Sequence, residues 1–478
     1  MYQLTFTLQQ HTPIIHFQHT QEGATLRATE LKPKLDKFII KHCITEKIDY
    51  REWLIGKGGH PALDYKLRIT KSNNEDYGQR FIFEEYYDKS TNAKKFKVNR
   101  KTSYPMILAN MVAKNTKDEL KDIRFFKDLN CSIFCFHSGL KTILENNLSA
   151  FFALNNFGNR NNKGYGGFTV TKIGVCDKKW DEKLLPIGTP YLQINDTDTR
   201  KIFDILDFFY KWLKSGINYT FNSYKKKCIK GRYNKAVLFE YLESCYPKRP
   251  LIGENWEKRW IKEKFLSLAP KSPPDYNPRF FRALLGYSDN HTFTKATCNF
   301  DTENVSNNQI KLKNKLELEN NHVPREIERI KSPLIFKVIK VNNNMTKVYL
   351  LIDKEHIDEI YSKGHSTSFI FFDNRKLSLA YRIGTTEYSI NFEYPKHNLA
   401  DLDIHLYRIA PFNTPPPLKQ VYEDIIYFKN GFQTIELPSS IIDYNALLKF
   451  FKTKYPKFMA KDFKWRDIIN SEIEIKTI

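Results

Sequence analysis

The strongest constraint on the fold is a glycine-rich stretch, NNFGNRNNKGYGGF at residues 155–168, between a helical pattern and a strand pattern. Before it, large apolar residues recur at the spacing of one helix face: Leu140, Leu144, Leu148, Phe151 and Phe152. Ser138 is a suitable cap for that helix. After it, GFTVTKIGV alternates as a strand does. The glycines therefore follow a helix and lead into a strand.

Further patterns precede this stretch. YQLTFTLQ, at the start, alternates Leu4, Phe6 and Leu8 with polar residues, which predicts a half-buried strand. A helical face with Leu35 and Phe38 follows, and strand patterns come at DYKLRIT, RFIFEEYY, KKFKVN and CSIFCFH. The resulting order of strand, helix, strands, helix, glycine loop and strand predicts a ferredoxin-like βαββαβ domain with insertions.

After residue 200 the patterns change. Helical spacing covers residues 202–213, and shorter helices are predicted at 235–245 and 256–267. The Asn-rich ENVSNNQIKLKNKLELENN is interpreted as a linker, and SPLIFKVIKV and KVYLLI predict a hairpin. The predicted fold class is α+β, with tandem ferredoxin-like (RRM-like) domains and helical insertions. The predicted boundaries are 1–200 for a first domain with its glycine-rich loop at 158–167, 201–325 for a helical, basic insertion and linker, and 326–478 for a second β-rich domain with a C-terminal extension.

The charge of the chain points to a polyanionic partner. The 76 basic residues against 54 acidic ones give a formal net charge of +22, an excess that folding does not require. Nucleic acid is the first candidate, because no apolar run approaches the length of a membrane span and no long basic amphipathic helix is present. The start lacks a secretory pattern, so we expect a cytoplasmic protein. The seven cysteines lack paired CxxC spacing, which favours buried free thiols over a metal site.

The glycine stretch matches none of three known ligand loops. A Walker A loop requires Ser or Thr directly after its lysine, but Lys163 is followed by Gly164. A Rossmann fingerprint lies between a strand and the helix that it opens, the reverse of the order here. KGYGGF resembles the RNP1 strand of RNA-recognition motifs but carries an extra glycine, so we interpret it as a loop rather than a stacking strand.

Clustered glycines still permit close approach of the backbone to a phosphate or base. We therefore predict a nucleic-acid site at the loop, with Arg27, Arg160 and Lys163 contacting phosphates and Tyr165 available for stacking on a base. The glycines that would bring the backbone close are Gly158, Gly164, Gly166 and Gly167. A second basic run adds candidates that are equally consistent with a solvated surface: Lys225, Lys226, Lys227, Lys230 and Arg232.

At this point the sequence resembles the RAMP superfamily of CRISPR proteins. FGNRNNKGYGGF is most similar to the G-x-R-x-x-x-G-x-G loop of the RAMP subunit that caps the Cmr-type (type III-B) effector complex. TPIIHFQ…ATLRATELKP and IKSPLIFKVI also resemble that family, over roughly residues 1–175 and 325–352. The family's first helix often carries an Arg-rich pattern, whereas this chain has KPKLDKFIIKH.

The resemblance implies two ferredoxin-like domains that bind guide CRISPR RNA near its 3′ end, contact the paired target RNA and dock on other RAMP subunits in antiviral defence. It implies a non-catalytic role. We also expect no cofactor, no metal and no membrane partner. Two alternatives remain open. One is a metal-independent endoribonuclease that processes guide precursors, with His16, His19 or His137 as general base. The other is a DNA- or ribosomal-RNA-binding protein unrelated to CRISPR.

Overall fold

The computed structural model describes the following residues: 1–15, 25–44, 50–55, 62–71, 83–88, 93–98, 128–218, 221–222, 227–228, 233–245, 281–288, 290–298, 305–320, 323–327, 329–353, 367–373, 376–383, 386–393, 434–436, 443–454 and 473–478. They form a mixed α/β structure with antiparallel sheets, as the predicted α+β class requires. Contacts divide the chain into two units. The first holds 1–210, 334–353 and 448–478, and the second holds 211–333 and 354–447.

The first sheet of the first unit follows the predicted order of elements. Its elements along the chain are β1 (Tyr2–Gln10), α1 (Ala28–Phe38), β2 (Tyr65–Lys71), β3 (Asp128–Cys135), α2 (Ser138–Leu154), β4 (Phe168–Ile173) and β5 (Cys176–Asp177). The spatial order of the strands is β2-β3-β1-β4-β5, and all neighbours are antiparallel. The second strand thus lies beside the third, and the first lies between the third and the fourth.

The core of this half forms where the alternating strand residues meet the apolar faces of α1 and α2. Leu4, Phe6 and Leu8 of β1 are buried, as the sequence pattern predicts. They pack in one cluster with the predicted face of α2, including Leu144 and Phe152. Because α1 begins at Ala28, Pro33 lies inside the helix rather than in its first turn. A π-helical turn, Ile39–Cys43, follows the helix.

A second sheet in the same unit repeats this arrangement with segments that are distant in the sequence. Its elements are β6 (Pro190–Ile194), α3 (Thr199–Ser215), β7 (Leu334–Asn342), β8 (Met345–Ile352), α4 (Tyr444–Lys454) and β9 (Ile473–Thr477). The four strands lie in the first unit, whereas the end of α3 and the start of α4 are counted with the second unit. The spatial order is β7-β8-β6-β9, again antiparallel. The predicted hairpin is the β7–β8 pair. The predicted boundaries at 200/201 and 325/326 differ from this arrangement, because β6 and β9 belong to the same sheet as β7 and β8.

The second unit contains a sheet that sequence patterns did not predict. Val305–Asn320, interpreted above as a linker, is a long strand paired with Asn290–Cys298, Val323–Ile327 and Thr367–Asp373, the last of which pairs with Thr434–Glu436. Lys376–Ile383 and Thr386–Glu393 form a hairpin. The predicted helix near 235–245 is present as Val237–Cys245, while 256–267 lies outside the described residues.

The remaining described elements are short. Paired strands are Leu54–Ile55 with Ala62–Leu63, Phe83–Asp88 with Ala93–Val98, Ile217–Asn218 with Tyr233–Asn234, Phe221–Asn222 with Lys227–Cys228, and Tyr287–Ser288 with Arg329–Ile330. Single 3-10 turns are Arg51–Trp53, Asn161–Lys163, Glu182–Leu184 and Phe281–Leu285. In the part of the chain that the structure describes, no helix is both long and apolar enough to span a bilayer.

Candidate nucleic-acid interface

The glycine loop is shaped by close backbone packing. Gly158, Gly164 and Gly166 have φ angles of +76°, +93° and +66°, a region that favours glycine. A Cβ at Gly166 would lie 1.9 Å from the carbonyl oxygen of Phe157, and a Cβ at Gly158 would lie 2.8 Å from that of Ile15. The loop therefore needs glycine at these two positions, because Gly166 packs against Phe157 at the start of the loop and Gly158 packs against Ile14 and Ile15, in the segment that follows β1.

The glycine N–H groups donate to acceptors inside the protein. The four donor–acceptor pairs are Gly158 N to Glu30 Oε1 at 2.6 Å, Gly164 N to Asn161 O at 3.2 Å, Gly166 N to Pro13 O at 2.8 Å and Gly167 N to Thr12 Oγ1 at 2.8 Å. The prediction that these glycines bring their N–H groups to a phosphate is therefore corrected. In this structure their hydrogen bonds stabilise the loop.

Buried side chains connect the loop to both sheets. Thr12 Oγ1 donates to the carbonyl of Gly164 at 2.8 Å. Asn156 Nδ2 donates to the carbonyls of Asn161 and Phe336 at 2.8 and 2.9 Å, and so connects the loop to β7. The carbonyls of Gly164 and Asn161 belong to the loop, whereas the carbonyl of Phe336 belongs to strand β7. The loop is thus a junction between the two halves of the first unit.

Lys337, on β7, is the most deeply buried cation of this junction. Its side chain is fully buried, and Nζ donates to the carbonyls of Phe152, Asn155 and Phe168 at 2.6, 2.8 and 2.9 Å. The first two are at the C-terminal end of α2, where carbonyls lack partners within the helix. Burial lowers the pKa of the amine to about 7. Its only signal in the sequence is a lysine within the apolar strand LIFKVIKV.

His11 is a second buried polar residue that the sequence analysis did not select. Its Nδ1 accepts from the backbone N–H of Lys340 at 3.1 Å, so Nε2 carries the proton and donates to Thr169 Oγ1 at 2.7 Å. Burial, together with the positive charges of Lys337 and Lys340, lowers its pKa to about 3. A neutral histidine held this way joins β4 to β7.

The structure places Tyr165 in the interior. The side chain is fully buried, and its ring stacks on that of Phe203 in α3 with centroids 4.1 Å apart and planes 18° apart. The prediction that Tyr165 stacks on a base is corrected, because the ring packs inside the protein. Lys163 likewise turns inward, with Nζ buried 2.8 Å from the ring centroid of Tyr210. This cation–π contact replaces the phosphate contact predicted for Lys163.

Arg160 differs from its neighbours in the loop. It is the one non-glycine residue with positive φ, +58°, among the described residues, and it is partly exposed beside the exposed Asn159. A left-handed conformation at a residue with a Cβ carries strain, which frequently marks a functional position. Arg160 remains the predicted phosphate contact that the fold presents at the surface of the loop.

The first turn of α1 lies beside this position. Arg27 is the N-cap residue of α1 and is partly exposed. Glu30 in that turn accepts both from Gly158 N–H and from Lys34 Nζ, the latter at 3.0 Å, and Lys34 Nζ also contacts the carbonyl of Asn156 at 3.3 Å. The start of α1 therefore contacts the loop at Gly158, two residues before Arg160 in the sequence. We call Arg27, Lys34 and Arg160 the loop-edge surface.

The other predicted residues are placed only in part. Lys225, Lys226, Lys230, Arg232, His16 and His19 lie outside the described residues. Lys227 begins the two-residue strand Lys227–Cys228, which pairs with Phe221–Asn222. His137 is the N-cap residue of α2 and makes no side-chain capping bond.

Within the described ranges, no group of three or more His, Cys, Asp or Glu side chains is arranged to hold a metal ion. Of the cysteines described, Cys131 and Cys135 are buried, as expected for free thiols, whereas Cys176 and Cys245 are exposed. Burial raises the pKa of the Cys131 thiol, which makes it a poor nucleophile.

Two family models match successive parts of the chain. The model of the Cmr1 N-terminal domain matches residues 1–217, and the model of the Cmr1 C-terminal domain matches residues 233–399. The chain belongs to the Cmr1 family. This confirms the predicted membership of the RAMP superfamily and the predicted link to type III-B CRISPR systems. No curated protein matches the chain.

Solved structures that resemble the chain carry the same family name or that of its complex. Cmr1 from Pyrococcus furiosus, in its apo form, is 10% identical over 74% of this chain and 88% of that chain, with a TM-score of 0.34. The type III-B Cmr-beta complex bound to cognate target RNA gives 12% identity, 73% and 94% coverage and a TM-score of 0.28. The same complex bound to cognate target RNA and AMPPnP, state 2, in the presence of ssDNA, is 10% identical over 74% of this chain and 97% of that chain, with a TM-score of 0.31. Because these TM-scores are low, the family assignment rests on the two domain matches.

Proposed function

We propose that this chain is a non-catalytic, RNA-binding subunit of a type III-B CRISPR effector complex. In this proposal it caps the 3′ end of the guide RNA, contacts the target RNA and docks on other RAMP subunits in the cytoplasm. The observation that carries the proposal is the pair of Cmr1 domain matches, which together span most of the sequence. A type III-B Cmr-beta complex to which the chain is similar was solved bound to cognate target RNA, and the net charge of +22 suits that ligand.

We further propose that the first unit consists of two ferredoxin-like domains. Each half has the chain order strand, helix, strand, strand, helix, strand, and each sheet has its strands in the order second, third, first, fourth. The second domain would then be built from 190–215, 334–352 and 444–477, with the second unit supplied by two insertions. This arrangement accounts for the predicted tandem architecture while moving its boundary to the segment before β6.

The RNA contact of this proposal is the loop-edge surface. Arg160 and Arg27 are partly exposed cations on neighbouring segments, and an arginine guanidinium binds phosphate through paired hydrogen bonds. The glycines act indirectly, because they hold the loop in the conformation that presents Arg160. The fold thereby separates residues that shape the loop from residues that face the solvent.

Among the described residues, His11 and His137 support a non-catalytic role. General-base chemistry on a 2′-hydroxyl requires a histidine that changes protonation within reach of the substrate. His11 is fully buried, and its pKa of about 3 keeps it neutral at physiological pH. His137 is partly exposed at the start of α2, on a different segment from the loop-edge surface.

The function is tested by purifying the tagged protein from its own cells, sequencing the RNA that accompanies it and identifying the proteins. We expect short RNAs with a common repeat-derived 5′ end, together with other RAMP subunits. Random RNA without protein partners would overturn the proposal. Incubation of the complex with a guide precursor tests the endoribonuclease alternative, since cleavage that disappears with His137→Ala would contradict the non-catalytic assignment.

The loop-edge surface is tested with Arg160→Gln in the purified full-length chain. We expect weaker binding of fluorescein-labelled single-stranded RNA, and a plot of log affinity against log salt that is flatter by about 0.7 for the lost phosphate contact. Lys179→Gln, which removes an exposed lysine in the segment after β5, is the matched control and should leave the slope unchanged. An unchanged slope for Arg160→Gln would remove this loop from the RNA interface.

A further inference from the structure

The outer face of the first sheet, opposite α1 and α2, is exposed and polar. In β1 the residues that point away from the core are Gln3 and Thr5, which are exposed, and Thr7, which is partly exposed. Their neighbours Leu4 and Phe6 are buried against the helices. Side chains on adjacent strands that share this orientation form one continuous surface, because strand residues alternate between the two faces.

Two phenylalanines lie on or beside this face, at the end of β3. Phe134 lies between the buried residues Ile133 and Cys135, so alternation directs it outward, and it is partly exposed. Phe136 directly follows the strand and is 68% exposed. A phenylalanine exposed to this extent on a polar surface has no role in the core.

Cations lie beside Phe134 in the strand register, on the side of β2. Lys66 of β2 and Gln3 of β1 pair with Phe134 from either side, and Arg68 and Thr5 pair with Ser132 in the next row. Lys66 and Arg68 are exposed. Lys172 of β4 pairs with Thr7 of β1 and is also exposed. The rows that hold Phe134 and Ser132 therefore combine an aromatic ring, positive charge and uncharged hydrogen-bonding groups.

Acidic residues are confined to the ends of the face. Asp128 is the first residue of β3 and pairs with Gln9, whereas Asp64 precedes β2 at the opposite end. Asp177, on the short edge strand β5, pairs with Lys172. The rows that hold Phe134 and Ser132 contain two cations and no acidic residue, so the charge around the ring of Phe134 complements a polyanion. Asp64 lies at the end of the face nearest Phe136.

We propose that this outer face is a second RNA-binding surface, which takes single-stranded RNA. Unpaired bases stack on Phe134 and Phe136, while Lys66 and Arg68 contact the adjacent phosphates. Four-stranded sheets of RNA-recognition motifs stack RNA bases on solvent-exposed aromatic residues. Here Phe134 is on β3 and Phe136 directly follows it, at the outer face of a five-stranded sheet. The inference rests on the proposed RNA-binding function but concerns residues outside the loop-edge surface.

Base stacking also fixes the class of RNA. A ring stacks only on a base whose face is accessible, so the surface selects unpaired nucleotides over a continuous duplex. The threonines and Gln3 supply hydrogen bonds without adding charge repulsion. A docking protein is less well matched, because the face offers two apolar side chains among charged and polar ones.

The test compares Phe134→Leu/Phe136→Leu with the unchanged full-length protein in fluorescence-anisotropy titrations with labelled single-stranded RNA and with an RNA hairpin duplex. Leucine retains apolar bulk but not the stacking face. We expect affinity for the single strand to fall about tenfold or more, with little change for the duplex. Ile187→Ala, which alters a 98% exposed apolar residue in the segment before β6, is the matched control and should bind both RNAs as before.

A second measurement separates the possible results. Photo-crosslinking with 4-thiouridine-substituted single-stranded RNA should yield adducts in the peptide 128–137. Unchanged single-strand affinity and no adduct there, with Arg160→Gln still impaired, would overturn this proposal and leave the proposed function intact. Loss of co-purifying protein subunits rather than RNA from the double variant would also overturn it and assign the face to protein docking. Failure of the unchanged protein to bind RNA would reject the proposed function itself.

Discussion

The two sheets of the first unit have the same strand order but opposite environments on the faces away from their helices. In the first sheet this face carries exposed Gln3 and Thr5. In the second, Tyr191 is 7% exposed and Tyr349 is fully buried, packed with Leu185 and with Ala153 of α2. Strand order therefore does not determine whether a sheet is a binding surface or part of a core, because that depends on what the connecting segments cover.

The covering segment of the second sheet is the connection between the two halves. Trp180 Nε1 donates to the hydroxyl of Tyr349 at 3.2 Å, and that hydroxyl donates to Glu182 at 2.8 Å. Lys347 pairs with the same carboxylate. Burial alone would raise the pKa of Glu182, but hydrogen bonds from Lys347 and Tyr349 hold it below the usual value. Among the described residues, no comparable segment covers the outer face of the first sheet.

The largest expected effect tests whether the second sheet, whose outer face is buried, depends on Lys337 for its stability. Lys337→Met removes three hydrogen bonds and leaves carbonyls of Phe152, Asn155 and Phe168 without this donor. We expect the free energy of unfolding, measured by urea denaturation, to fall by about 3 kcal/mol or more. Lys172→Met on the exposed face of the first sheet is the matched control. It should change the free energy of unfolding by less than about 0.5 kcal/mol. Equal effects would contradict the contrast between the two faces.

A smaller effect is expected from the loop that joins the sheets. Gly166→Ala places a Cβ against the carbonyl of Phe157 and requires a left-handed alanine, so we expect a loss of at least about 2 kcal/mol. Gly188→Ala is a strict control, because its φ is +82° but no atom lies within 4 Å of the added Cβ. It should cost about 1 kcal/mol, measured by the same denaturation. If Gly166→Ala and Gly188→Ala were equally stable, close packing would not explain why residue 166 is glycine.

The sequence was sufficient for the parts of the fold that depend on local periodicity. Alternation in YQLTFTLQ and the helical face from Leu140 to Phe152 predicted β1 and α2, and their chain order predicted the first sheet. The hairpin of β7 and β8 followed from two apolar runs around an Asn-rich turn. These elements form between segments close in sequence, or bury a face that is visible in the residue pattern.

Long-range contacts could not be predicted in this way. β6 is a five-residue strand whose partners, β8 and β9, are far along the chain, so its five letters carry little signal. Tyr165 was predicted to be a stacking residue because its neighbours suggest a surface loop, but Phe203 of α3 covers it. Arg160 could be selected as a site from its place between glycines, whereas the acceptors of Lys337 become apparent only when both halves are assembled.

The smallest expected effect concerns pH and the histidine that joins the two sheets. The pKa of His11 is about 3 in the folded chain, whereas an exposed histidine titrates near 6.5. Between these values the unfolded chain binds a proton that the folded chain excludes, so stability falls as pH decreases below 6.5. At pH 5.5 the wild type should lose about 1.3 kcal/mol more than His11→Gln does, each relative to its own value at pH 7. Parallel pH profiles in urea denaturation would show that His11 accepts a proton in the folded protein. The two sheets would then be joined through a site open to water rather than through a dry core.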